Sequence, residues 1–169
     1  MRAPVPLQVH EVVTKSVPAV VTCVTTTTDA LAIAAAMTVG FGRLTQYVQR
    51  HGLEVSGAPR AIYTAYGNHR TTFTLALPIA PPAQPPLPWG AVRVDVLAAF
   101  DGWRFVHVGA YDTLPAMYAR ITQWLLARGV LSSESDWAHL LPMWEEYLGD
   151  LVHTPAERLV TNVYVPRPP

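Results

Sequence analysis

The chain is poor in cysteine and in charge. One cysteine, Cys23, stands among 169 residues, so no intrachain disulfide can form. Charged residues make up 14% of the chain, and Lys plus Arg (12) balances Asp plus Glu (12). With no basic excess and no run of like charge, the composition argues against a nucleic-acid binder, whose affinity rests on phosphate contacts. Disorder needs low hydrophobicity and high net charge, whereas half of these residues are hydrophobic. Metal ligands are equally scarce. The six histidines (10, 51, 69, 107, 139, 153) show no i, i+4 pairing and join no cysteine or acid cluster. Gly40-Phe41-Gly42 lacks the third glycine and the preceding strand of a phosphate-binding loop. No serine–histidine–acid spacing stands out. No metal and no cofactor are expected. Cys23 lies in an apolar run and is expected as a buried, unreactive thiol.

One long apolar stretch, residues 17–41, invites a membrane or targeting reading. Asp29 interrupts it after four threonines, and Glu11 and Lys15 do not fit a signal peptide. A strand followed by a helix explains it better. The chain is expected to be cytoplasmic, with no membrane contact.

Hydrophobic periodicity then divides the chain. Strands are expected over 7–13 and 19–28, rich in Val and Thr. Asp29 is placed to cap a helix from 30 to 51, and Gly52 to end it, with Gly40 and Gly42 as points of kinking or breakage. Strands follow over 60–66 and 72–79. Residues 80–90 hold five prolines and form a linker, since proline at this density cannot pair in a sheet. The pattern then restarts: strands over 92–100 and 105–111, a helix over 114–128 ended by Gly129, and strands over 143–148 and 159–165.

The two halves also match residue for residue. LTQYVQRHGL (44–53) aligns with ITQWLLARGV (121–130), AIYTAY (61–66) with PMWEEY (142–147), and LALP (75–78) with VYVP (163–166). Three windows in the same order, at the same element boundaries, indicate a duplication. The expected fold is α+β: a duplicated β-β-α-β-β repeat (half-repeats 5–79 and 91–166) forming one domain over 1–169. Its single curved antiparallel sheet carries both helices on one face. A cleft along the pseudo-twofold seam is the natural ligand site.

LPMWEEYLGD (141–150) places two glutamates in an otherwise apolar strand. Strand alternation separates them: Glu145 shares a face with Met143 and Tyr147, Glu146 with Trp144 and Leu148. The repeat pairs Glu145 with Thr64 and Tyr147 with Tyr66, so these four are expected to converge at the seam. Glu146 is expected to face away and to be dispensable. A carboxylate buried without a cation is costly, and a site that tolerates it reserves the charge for a ligand. Phe41 and Met37 on the first helix, and Trp89 and Trp103 in the linker and a turn, are further candidates for the cleft and its rim. Aromatics of this kind suit planar and cationic ligands.

His107-Val-Gly109-Ala-Tyr111-Asp-Thr-Leu114, the helix ending in Trp124-Leu-Leu-Ala-Arg-Gly129, Glu145-Glu-Tyr147-Leu, and Thr161-Asn-Val-Tyr-Val-Pro166 together resemble the GyrI-like small-molecule-binding domain. This is the effector-binding domain of MerR-type and AraC-type multidrug regulators of bacteria, also found standing alone. The resemblance covers nearly the whole chain and implies a hydrophobic cleft with a buried glutamate, here Glu145 with Tyr147 beside it. It also places Tyr164 at the pocket, with Asn162 where the family often has a second carboxylate. With no helix-turn-helix expected before residue 1 or after Pro169, the resemblance implies a binding domain apart from its transcriptional partner. Any regulatory protein it works with would be separate and is not identified.

The function expected is non-catalytic binding, by sensing or sequestration, of amphipathic, aromatic and cationic small molecules, with antibiotic resistance as its setting. The alternative, drawn from a branch of the same family, is a hydrolase that opens reactive cyclopropane rings using Glu145 with Tyr147 or Tyr66. A gyrase-modulating role ranks behind both.

Overall fold

The computed structural model describes residues 5–169. Its eight strands are β1 (Gln8–Thr14), β2 (Val17–Thr27), β3 (Arg60–Tyr66), β4 (Arg70–Pro78), β5 (Arg93–Leu97), β6 (Phe100–Val108), β7 (Met143–Leu148) and β8 (Val160–Pro166). The two α-helices are α1 (Ala30–His51) and α2 (Leu114–Ala127). All strands join one antiparallel sheet in the order β1-β6-β8-β7-β3-β4-β2-β5.

That order reads the same from both ends if β1 exchanges with β5, β2 with β6, β3 with β7 and β4 with β8. The β3–β7 pair is therefore the seam, with Ala61 opposite Glu145 and Tyr63 opposite Met143. The first strand of each half does not stay at home. β1 pairs with β6, and β5 with β2, so each half lends its first strand to the edge of the other.

Local chemistry sets the helices. The Asp29 carboxylate accepts from the Leu31 amide at 2.8 Å, and Gly52 closes α1 in the left-handed region (φ 59°). α1 runs unbroken through Gly40 and Gly42, so neither glycine breaks it. Gly40 serves packing instead: a Cβ there would lie 2.3 Å from Leu75 Cδ1, so its absence lets helix and sheet approach.

Both helices cover the same face. Leu44, Tyr47 and Val48 of α1 pack with Phe73, Leu75 and Val20. Met117, Ile121 and Leu125 of α2 pack with Phe105, Val163 and Val165. Tyr63, at the seam, touches both cores. The proline-rich segment is pinned to this face, because the Tyr47 hydroxyl donates to the Leu87 carbonyl at 2.8 Å. Cys23 departs from the expectation: it is exposed, the first position of β2 beyond the doubly buried run, and its alternation points it to the outer face. Among the described residues no helix is long and apolar enough to cross a membrane.

Candidate functional site

Glu145 lies mid-strand in β7, on the helix-covered face, and is 5% exposed. Its cross-strand neighbour is the buried Ala61. No Lys or Arg pairs with it among the described residues. Both oxygens are taken by phenols instead: Tyr118 of α2 donates to Oε1, and Tyr147 donates to Oε2. Burial raises the Glu145 pKa, opposed by the two tyrosine hydrogen bonds and by the nearby His107 ring. Burial, reinforced by the negative Glu145, pushes both phenols well above their ordinary value, so they remain neutral donors.

Aromatic side chains ring this core. Phe41 meets Tyr147 edge-on at 6.1 Å, and Tyr111 meets it edge-on at 5.7 Å. The Tyr147 hydroxyl lies 3.7 Å from Met37 Sδ. Tyr63 stands beside Tyr66 (6.5 Å), which is 58% exposed. Tyr63, Tyr111, Tyr118 and Tyr147 are each half-buried, presenting aromatic surface over a buried charge. The arrangement can hold a planar or cationic group by ring contact and complement its charge through the phenols.

Of the residues singled out in the sequence, Glu145, Tyr147, Met37, Phe41 and Tyr66 come together here. Thr64 does not. A β-bulge between Tyr63 and Ala65 turns Thr64 away, where it is exposed and donates to the Thr72 carbonyl. Tyr63, two residues from Ala61 in the unbroken seam register, shares the face of Glu145 in its stead, and the bulge returns Tyr66 to that face. Tyr164 and Asn162 lie on the opposite face of the sheet, because β8 pairs them with Trp144 and Glu146. There Tyr164 stacks on Trp144 at 3.6 Å, and Arg60 lies over the Trp144 ring. Glu146 accepts from Asn162 (3.0 Å) and Tyr164 (3.3 Å) and lies 4.0 Å from Arg60, so it faces away as expected but is engaged. Trp103 is buried in the α2 core against Trp124. Trp89 is half-exposed beside Arg50, lining a separate recess of about 260 Å³ with Arg43 and Gln46.

Tyr118, Tyr63, Tyr111 and His107 were missed as site residues. Tyr118 was within reach: the offset that takes Leu44 to Ile121 also takes Phe41 to Tyr118. Tyr63 was not, because the repeat set Thr64 against Glu145 and no residue pattern announced the seam register.

No family model matches the chain, and no curated protein matches its sequence. Solved structures do match. The crystal structure of the EcmrR C-terminal domain aligns over 95% of this chain and 96% of its own, with TM-score 0.69 and 16% identity. The fold is that of the EcmrR C-terminal domain. EcmrR in its complex with DNA aligns at TM-score 0.72 and 15% identity, and there this chain spans 57% of the EcmrR chain. SAV2435, bound to tetraphenylphosphonium, has the same fold at TM-score 0.56 and 14% identity, over 96% of this chain and 93% of its own. A Listeria innocua hydrolase shares it at TM-score 0.55 and 10% identity, over 94% and 91%. At these identities the likeness is one of fold.

Proposed function

We propose that this chain is a non-catalytic binding module for amphipathic, aromatic cations, held in the cleft over the β3–β7 seam. One observation carries the reading: a carboxylate 5% exposed that, among the described residues, has no Lys or Arg partner and takes its hydrogen bonds from two neutral phenols. A buried negative charge left without a cation is unfavourable, and a ligand cation supplies what the protein withholds. The half-buried rings of Phe41, Tyr63, Tyr111 and Tyr147 give flat apolar contact around it. Support comes from SAV2435, a neighbour of the same fold bound to tetraphenylphosphonium, a lipophilic cation. Because Glu145 is nearly sealed, Tyr118 and Tyr147 must swing aside or remain as intermediaries when a ligand enters. The setting on this reading is the bacterial cytoplasm, and the ligands are dyes and antibiotics of this class.

The test is calorimetric titration of the purified protein with tetraphenylphosphonium. Saturable binding is expected, weakened at least tenfold by Glu145→Gln. No binding by the wild type at millimolar ligand, or equal binding by the variant, overturns the proposal.

A second reading, hydrolysis, draws on the adjacency of an acid, two phenols and the His107 ring. Mass analysis of a cyclopropane-bearing alkylator after incubation separates the two. A gain of one water that vanishes in Glu145→Gln establishes the enzyme; unchanged ligand removes it.

A further inference from the structure

His107 lies on β6, on the same face as Glu145. A row runs across three strands there: His107 opposite Thr161, and Thr161 opposite Tyr147. The proton positions on His107 follow from its neighbours. Its Nε2 is 2.9 Å from Thr113 Oγ1, and Thr113 Oγ1 donates its one proton to the Ala110 carbonyl at 2.6 Å. Thr113 therefore accepts from His107, and Nε2 carries the hydrogen. In the neutral ring, Nδ1 is then a bare acceptor. It has no partner among the described residues and is not sealed from solvent.

The local sequence leaves room for this contact. Gly109 sits at φ 148°, and a Cβ there would lie 3.1 Å from Thr113 Oγ1 and 3.4 Å from His107 Nε2. The spacing His-x-Gly-x-x-x-Thr thus admits the His–Thr contact that fixes the ring. Further along the row, Thr161 Oγ1 is fully buried with no partner among the described residues, so this end of the row has polar capacity unspent.

We propose that His107 Nδ1 is a second polar pole of the cleft, and that it accepts an N–H from a protonated amine or amidinium ligand. This rests on the reading of the cleft as a cation site and goes further by naming the ligand's chemistry. Glu145 and its phenols answer the charge, His107 answers the donor. Cations without N–H gain nothing from it.

The experiment compares two probes on the full chain. Tetraphenylphosphonium has no donors; the fluorescent diamidine 4′,6-diamidino-2-phenylindole has N–H groups on a planar cation. His107→Phe keeps a ring and removes the acceptor, while His107→Asn restores an acceptor near the Nδ1 position. Diamidine affinity is expected to fall about tenfold in His107→Phe and to recover at least in part in His107→Asn, with tetraphenylphosphonium within twofold throughout. Equal losses for both probes, or no loss for either, overturn the proposal. Wild-type binding of tetraphenylphosphonium alone leaves the cleft reading standing and refutes the donor preference. Binding of neither probe refutes the cleft reading itself. Thermal unfolding of each variant checks that the fold is kept.

Discussion

Glu145 is in tension with its own fold. Burial raises its pKa above that of the unfolded chain, so the protonated form favours folding. That contribution is complete at pH below the ordinary carboxylate range and is lost as pH rises through the raised value. Glu145→Gln, neutral at every pH, should therefore unfold at higher temperature than the wild type in neutral buffer, with the gap closing on acidification. Calorimetric scans across pH read this directly. A cation in the cleft favours the ionised form, so its binding should release protons and weaken as pH falls. Heats that depend on the buffer's ionisation enthalpy would register that release. Tyr63 and Thr64 supply a second contrast. Tyr63→Ala removes a ring that touches both cores and is expected to cost about 3 kcal/mol, whereas exposed Thr64→Ala should stay within about 0.5 kcal/mol. Chemical denaturation separates the two.

At the scale of elements, hydropathy carried most of the information. The cap at Asp29, the stop at Gly52 and the alternation of β7 were all readable, because each is a local preference with a local cause. What was not readable lay where partners decide. Tyr63 rather than Thr64 shares the face of Glu145 because of the seam register, and nothing in AIYTAY marks the extra residue that returns Tyr66 to that face. Tyr164 was placed at the pocket by resemblance, yet its register against Trp144 turns it to the far side. Gly40 and Gly42 looked alike in sequence but differ in space. Gly40→Ala must push into Leu75 and should destabilise by about 1–3 kcal/mol. Gly42→Ala meets nothing within 4 Å and should stabilise by about 0.5–1 kcal/mol through helix propensity. Thermal denaturation of the pair gives opposite signs if α1 packs as described.

At the scale of the molecule, the unit repeated in the sequence is not the unit closed in space. β1 completes the sheet beside β6, and β5 completes it beside β2. A chain cut between Gln84 and Pro85 would yield two fragments, each missing the border strand it needs and carrying one it cannot use. Neither should be soluble and folded alone, and the two co-expressed should reassemble into one particle, which size-exclusion chromatography with mass detection would reveal. The same clasp bears on origin. A single ancestral half, lending its first strand outward, had no way to finish its own border. Its stable form would have been a pair of identical copies holding one another's strands, and the proline-rich tether converted that embrace between molecules into one within a chain.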